Sequence, residues 1–315
     1  MEKKQEITME NQAQNQLALI KKDVVDTVTN KVREFTTAGE LHFPANYSVE
    51  NAMKSAWLIL QETKAKTPDK QEVPALSYCT RDSIANALLS MAVQGLNPAK
   101  KQCYFIAYGN QLVCQRSYFG NIYLAKLADP EIEDIVGTTV YEGDEFEYYI
   151  YRGKTFIRKH VQSLGNVDKK KIVAAYATVL RKDGDESKEY SDIMTMEQIK
   201  QAWKQSKMYP IDDRGNIKTG STHDKFTADM AEKTVINGIC KQIINTSTDS
   251  YLVLETYRKT EDAIVTAEAS ETIAQNANRE VIDVTPTEEI PNHAPQMKVD
   301  HSTGEVLTGD EEADF

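Results

Sequence analysis

Apolar residues recur at three or four positions from Leu17 through Ile20, Val24, Val28 and Val32 to Phe35, the spacing of one helical face. This predicts a first amphipathic helix, packed either on the body of the protein or on a neighbouring subunit. A second is predicted where Ser48 can cap a segment bearing Met53, Trp57 and Leu60, closed by a polar loop around Pro68 and Pro74. A third carries Ile84, Leu88 and Met91 on one face, with Thr80 as cap, Asp82 in the first turn and Gly95 at its end. The period then drops to two. Cys103–Tyr108 and Gln111–Arg116 flank Gly109 and Asn110, a pair able to adopt positive φ, so a two-residue hairpin is predicted. Its register sets Tyr108 opposite Gln111, Ile106 opposite Val113 and Tyr104 opposite Gln115 on one face. Ala107, Phe105 and Cys103 then meet Leu112, Cys114 and Arg116 on the other, mostly apolar face, which should point at the core. The tyrosine-bearing face can serve core or subunit packing, or stack on a planar ligand.

Ser117 can cap a further helix with Tyr118, Ile122 and Ala125 in one stripe and Asn121 and Lys126 outside it. Beyond Pro130, Ile132, Ile135, Val136, Val140 and Tyr141 suggest a strand. Phe146, Tyr148 and Ile150 alternate up to a turn at Gly153 and a return over Thr155–His160, and Ile172–Leu180 turns at Asp183-Gly184 toward Lys188–Met194. With the first hairpin, these give an α+β fold: antiparallel hairpins forming a central sheet flanked by helices. Thr195 and Gln198 fit a capping box for a helix with Ile199, Ala202 and Trp203 inward and Lys200, Lys204 and Lys207 on other faces. A mobile loop is expected from Lys207 to Lys225. A last helix should run from Lys225 to Ile244, with Phe226 over Met230 and Ala231, Val235 and Ile239 in steps of four. Periodicity fades past Tyr257. One core domain over residues 16–258 is therefore expected, between a disordered N-terminus (1–15) and an acidic disordered tail (259–315).

Charge sharpens that division. From Glu261 onward there are fourteen acids and two bases, against 48 acids and 37 bases in the chain of 315 residues, which leaves the first 260 residues close to neutral. Overall acidity thus says nothing against a polyanion partner for the body. Between Asp82 and Asp129 the chain has no acid but carries Lys100, Lys101, Arg116 and Lys126. Arg152, Lys154, Arg158, Lys159, Lys169, Lys170, Lys171, Arg181 and Lys182 form a second basic set, serving either as a solvated sheet edge or as a DNA-backbone contact. The tail ends in Asp310, Glu311, Glu312, Asp314 and Phe315, similar to the acidic, phenylalanine-ended tips of bacterial single-strand-binding proteins. Such a tip fits a partner's basic pocket, competition with DNA for the chain's own groove, or plain solubilisation.

No catalytic constellation stands out. Gly215 and Gly220-Ser221-Thr222 mimic a phosphate loop with serine where lysine is needed, so no nucleotide hydrolysis is expected. Glu142, Asp144, Glu145 and Glu147 are the best approach to a two-metal nuclease, yet alternation turns Asp144 away from the odd-numbered pair. The five histidines are scattered, and no cofactor is expected. Cys79, Cys103, Cys114 and Cys240 lack C-x-x-C spacing and read as buried, reduced thiols. The opening residues MEKKQEITMENQ lack an apolar signal core and no run reaches the length of a spanning helix, so a cytoplasmic protein is expected.

Two blocks resemble a known family. Gly95-Leu96-Asn97-Pro98, Tyr104 to Gly109, and Gln115 with Tyr118 and Gly120 look like the first signature of the RecT family of phage and prophage single-strand annealing proteins, and Met230-Ala231 with Lys233-Thr234-Val235-Ile236 resembles the second. The likeness covers roughly Val49 to Thr248. It departs at Asn237, where many members carry arginine, and at Phe119, where some carry lysine. The resemblance implies an ATP-independent, non-enzymatic protein that binds single-stranded DNA, anneals complementary strands into duplex, assembles into rings or filaments, and works beside a phage exonuclease and a host single-strand-binding protein. The two blocks and the distribution of charge together make Lys100, Lys101, Arg116, Lys126, Lys204, Lys207, Lys225 and Lys233 the expected phosphate contacts, with Ser117, Tyr118 and Asn121 shaping the groove. The alternatives are a passive single-strand protector and a metal-dependent nuclease.

Overall fold

The computed structural model describes residues 21–206, 209–247 and 256. The N-terminal segment with Leu17 and Ile20, Lys207, and the acidic tail lie outside the described residues. Helix α1 (Thr27–Thr37) follows a π-helical turn at Lys21–Asp26. Val24, Val28 and Val32 are buried in the main core, which settles the open choice for this part of the stripe in favour of the body. In α2 (Val49–Glu62) Ser48 accepts the Asn51 N–H as expected, and Met53, Trp57 and Leu60 are buried. The expected polar loop that follows is instead a short hairpin of β1 (Lys64–Lys66) and β2 (Glu72–Pro74) leading into the single turn α3 (Ala75–Tyr78). Ala65 between two lysines is buried, and one apolar residue is too short a signal to reveal a strand.

Helix α4 (Arg81–Val93) is capped by Thr80 and ends at Gly95, which takes φ +67°. Strands β3 (Cys103–Tyr108) and β4 (Gln111–Arg116) pair in the predicted register from Cys103 opposite Arg116 to Tyr108 opposite Gln111. Of the two turn residues only Gly109 has positive φ. Cys103, Phe105, Leu112 and Cys114 are buried, and Tyr104 is exposed. This hairpin does not join the central sheet, contrary to the expectation above. It packs on α4 as a sheet of its own, because its apolar face is spent on the helices before it.

Ser117 caps α5 (Tyr118–Ala128), whose buried residues are Gly120, Leu124 and Ala125. The predicted stripe is thus displaced, with Tyr118 and Ile122 only half-buried. Then come β5 (Ile132–Tyr141), β6 (Glu145–Tyr151), β7 (Lys154–Val161), β8 (Ile172–Arg181) and β9 (Tyr190–Thr195), an antiparallel sheet in the order β5-β8-β9-β7-β6. The capping box at Thr195 and Gln198 opens α6 (Met196–Lys204). The segment expected to be a mobile loop contains an Ile211–Ile217 bridge, with Asp212 accepting from the Arg214 and Asn216 N–H groups. A short helical turn α7 (Thr222–Lys225), capped by Ser221, precedes α8 (Thr227–Thr246). The phosphate-loop look-alike is this loop and cap. Helix α8 buries Ala231, Val235, Ile236 and Ile239 and packs against β5, β8, β9, α5 and α6. The architecture is α+β.

Asp144, the odd member of the acidic run, is wholly enclosed at the turn between β5 and β6. Burial alone raises its pKa, but hydrogen bonds from the Tyr141 N–H at 2.9 Å, Asn166 at 3.0 Å, Gln162 at 3.2 Å and His160 at 3.3 Å outweigh it and lower the carboxyl to about 2. An acid whose folded pKa is depressed stabilises the fold above its unfolded value, and that stability is lost as pH falls toward the folded one. Urea midpoints measured from pH 5 to pH 2 should therefore fall more steeply in the parent than in Asp144→Asn, which lacks this titration.

Candidate nucleic-acid interface

The two halves of the site lie at the N-terminal end of α5 and on the exposed side of α8. Ser117 Oγ accepts from the Gly120 N–H at 3.3 Å and donates to the Lys101 carbonyl at 2.6 Å. Lys101 ends the turn Pro98–Lys100 in a left-handed conformation, φ +56°. Lys100 and Lys101 are thereby held, exposed, against the start of α5. Tyr118 and Phe119 follow with ring centroids 4.0 Å apart, and Phe119 is 44% exposed.

From α8, Lys233 Nζ lies 5.6 Å from the centre of the Tyr118 ring. Burial raises the Tyr118 pKa, and nearby Tyr104, Asp229 and Glu232 raise it further. Glu232 points inward: it accepts from Thr139 at 2.8 Å, and burial pushes its carboxyl up. On the other side of Lys233, the buried His223 is held below its usual range by burial and then by the Lys233 charge. His223 meets the Trp203 ring edge-on at 4.6 Å, and Trp203 Nε1 donates to Thr234 Oγ1 at 2.8 Å. These contacts seat the C-terminal end of α6, with exposed Lys204, and α7, with exposed Lys225, beside α8.

A hydrogen-bonded chain runs from the buried Gln94 out to the exposed Asn237. Arg116 Nη1 donates to Gln94 Oε1 at 2.8 Å and Nε to Asn121 Oδ1 at 3.2 Å, and Asn121 Nδ2 donates to Asn237 Oδ1 at 2.9 Å. It ties α4, β4, α5 and α8 together. No pattern in a single sequence signals a bond between residues 121 and 237. Gln94 and His223 were likewise missed, since an isolated polar residue gives no sign of burial.

Two residues expected at phosphates have other work. Arg116 is buried, with its guanidinium turned inward, because the hairpin register places it on the core face. Lys126 pairs with Asp134 at 2.9 Å. Arg116→Leu should cost about 1–3 kcal/mol in a urea melt, since the buried Gln94 and the half-buried Asn121 each lose a charged donor. Many of the strand cations are also engaged: Lys159 with Glu145 at 2.6 Å, Lys169 with Asp224 at 3.0 Å, Arg181 with Asp129 at 2.6 Å, and Lys154 over the Tyr190 ring at 4.2 Å.

The segments that meet at Tyr118 and Lys233 lie within the span matched by a family model described as the RecT family, over residues 50–278. The chain belongs to the RecT family. A search of the curated proteins finds no match. RecT membership implies phage-type annealing of single-stranded DNA in recombination. Among the described residues of this RecT-family chain, no helix is long and apolar enough to cross a membrane.

Proposed function

We propose that this RecT-family chain anneals complementary single strands without ATP, as a homo-oligomeric ring or filament, beside a phage exonuclease and a host single-strand-binding protein. One observation carries the reading. The two family blocks, far apart in sequence, meet in space, with Asn121 on Asn237 at 2.9 Å and Lys233 on the Tyr118 ring at 5.6 Å. Lys100, Lys101, Lys204, Lys225 and Lys233 are the proposed phosphate contacts, with Ser117, Tyr118 and Asn121 shaping the surface. Arg116 acts by positioning Asn121, and Lys126 is left out of the contact set. Lys207 lies outside the described residues.

Cations that neutralise phosphates release counterions and hold the strand by its backbone. The bases then stay free to pair. A protein that buried every base would protect a strand without annealing it. Two labelled complementary strands mixed with the protein and no nucleotide should therefore pair faster than alone. Slower pairing would establish the passive protector instead, and shortened strands in magnesium would establish a nuclease.

A further inference from the structure

The five-stranded sheet ends in β6, and among the described residues no strand pairs with its outer edge. Tyr148, Tyr149, Ile150 and Tyr151 on it are 54%, 47%, 67% and 61% exposed. Because side chains alternate along a strand, Tyr148 and Ile150 project from one face and Tyr149 and Tyr151 from the other. From Tyr148 to Tyr151 the strand is apolar on both sides. An open edge is a template for another strand, and proteins blunt such edges with lysine, proline or a bulge. None of these is present in β6. At the irregularity between Glu147 and Tyr148 the extra residue, Arg158, lies on β7, so β6 stays regular.

The charges on this edge are ordered. Glu145 and Glu147 open β6, while Arg152 and Lys154 follow its exit at the exposed turn. Antiparallel pairing of the strand with itself sets the acidic start of each copy against the basic exit of the other, whereas parallel pairing sets like against like. The two acids disfavour a nucleic-acid strand along the same edge.

We propose that β6 is a self-association edge, pairing antiparallel with β6 of a second copy and joining two five-stranded sheets into one. Full overlap of the two Glu145–Tyr151 strands puts Tyr148 across from itself at a twofold axis. Glu147 then meets Tyr149, Phe146 meets Ile150 and Glu145 meets Tyr151, the residue before Arg152. The contact is isologous, the same patch on both copies. Such a contact closes at two copies, so it adds a pairwise contact to the homo-oligomer proposed above without by itself propagating a ring or filament, and it rests only on that part of the reading, since the surface around Tyr118 and Lys233 takes no part in it.

The test is cross-linking of the full chain carrying Tyr148→Cys under mild oxidation, the four native cysteines being buried. A disulfide-linked dimer, twice 35.5 kDa on a non-reducing gel, should form at least tenfold faster than with Leu164→Cys, whose site is 92% exposed and off the strand. Adding Ile150→Asp should bring the rate down to that control, with an unchanged circular dichroism spectrum verifying the fold. On the Tyr148→Cys background, a chain with Glu145→Lys and Glu147→Lys and another with Arg152→Glu and Lys154→Glu should each cross-link poorly alone and well when mixed. Equal rates at positions 148 and 164, or no response to Ile150→Asp or to the charge reversals, would overturn the proposal. Single-stranded DNA binding by the same proteins reports on the annealing reading alone, so either can fail without the other.

Discussion

Lys233→Ala should weaken single-stranded DNA binding about tenfold and reduce the steepness of its salt dependence by about 0.7, the share of one phosphate contact on a single strand. Both effects are needed. A residue that only packs would alter affinity through the fold and leave the salt slope alone. Lys233 is half-buried with its ammonium 5.6 Å from the centre of the Tyr118 ring, so it loses less conformational freedom on meeting a phosphate than a free surface lysine does. Its contact with the Tyr118 ring is worth about 0.5–1 kcal/mol at an exposed site, too little to unfold the chain. Lys233→Arg should retain most of the affinity. Lys126→Ala, which only frees Asp134, should leave both affinity and slope nearly unchanged. Unaltered binding and slope in Lys233→Ala would remove this residue from the interface. Fluorescence anisotropy of a labelled oligonucleotide over a salt series measures all three.

Gly120→Ala should destabilise the fold by about 3 kcal/mol or more, at or beyond the upper end of ordinary overpacking. A Cβ at Gly120 would stand 2.2 Å from the Gln102 carbonyl oxygen, 3.2 Å from its carbon and 3.4 Å from Leu96 Cδ2. The obstruction is backbone, and it is pinned. Gln102 O accepts the Ser117 N–H at 3.0 Å, and the Gln102 side chain accepts the Asn97 N–H at 2.8 Å. Relief therefore requires moving α5 away from the turn that carries Lys100 and Lys101, which would separate those two lysines from Tyr118. For a body of this size about 3 kcal/mol corresponds to a fall in Tm of roughly 6–12 °C, readable by thermal melting. Gly109→Ala is the contrast: nothing lies within 4 Å, and only its φ of +55° resists, at a cost of about 1 kcal/mol. A Gly120→Ala melt within a degree or two of the parent would show that the approach of α5 to this turn is looser than described.

Local rules carried the sequence reading a long way. Ser48, Thr80, Ser117 and the Thr195–Gln198 pair cap the helices they were expected to cap. The first hairpin keeps its register because two residues of turn chemistry determine every pairing that follows. Both family blocks were legible as strings of residues. Burial was harder, since it depends on what arrives from elsewhere in the chain. Nothing local distinguishes Arg116, turned inward onto Gln94, from Lys101, turned out to solvent. The cations from Arg152 to Lys182 read as one basic set, yet Lys169 and Arg181 are paired with Asp224 and Asp129, which lie far from them along the chain.

By itself the sequence determined the longer helices and strands, the caps at Ser48, Thr80, Ser117 and Thr195, the antiparallel pairing within each hairpin and the family, because each rests on contacts within a few residues or on a recognisable string. Only the tertiary structure decided that the first hairpin stands apart from the sheet, that Arg116 is an internal strut, and that Lys233 reaches Tyr118. Those outcomes depend on how the hairpin packs on α4 and how α5 packs on α8, where burial and partner geometry outweigh any local preference.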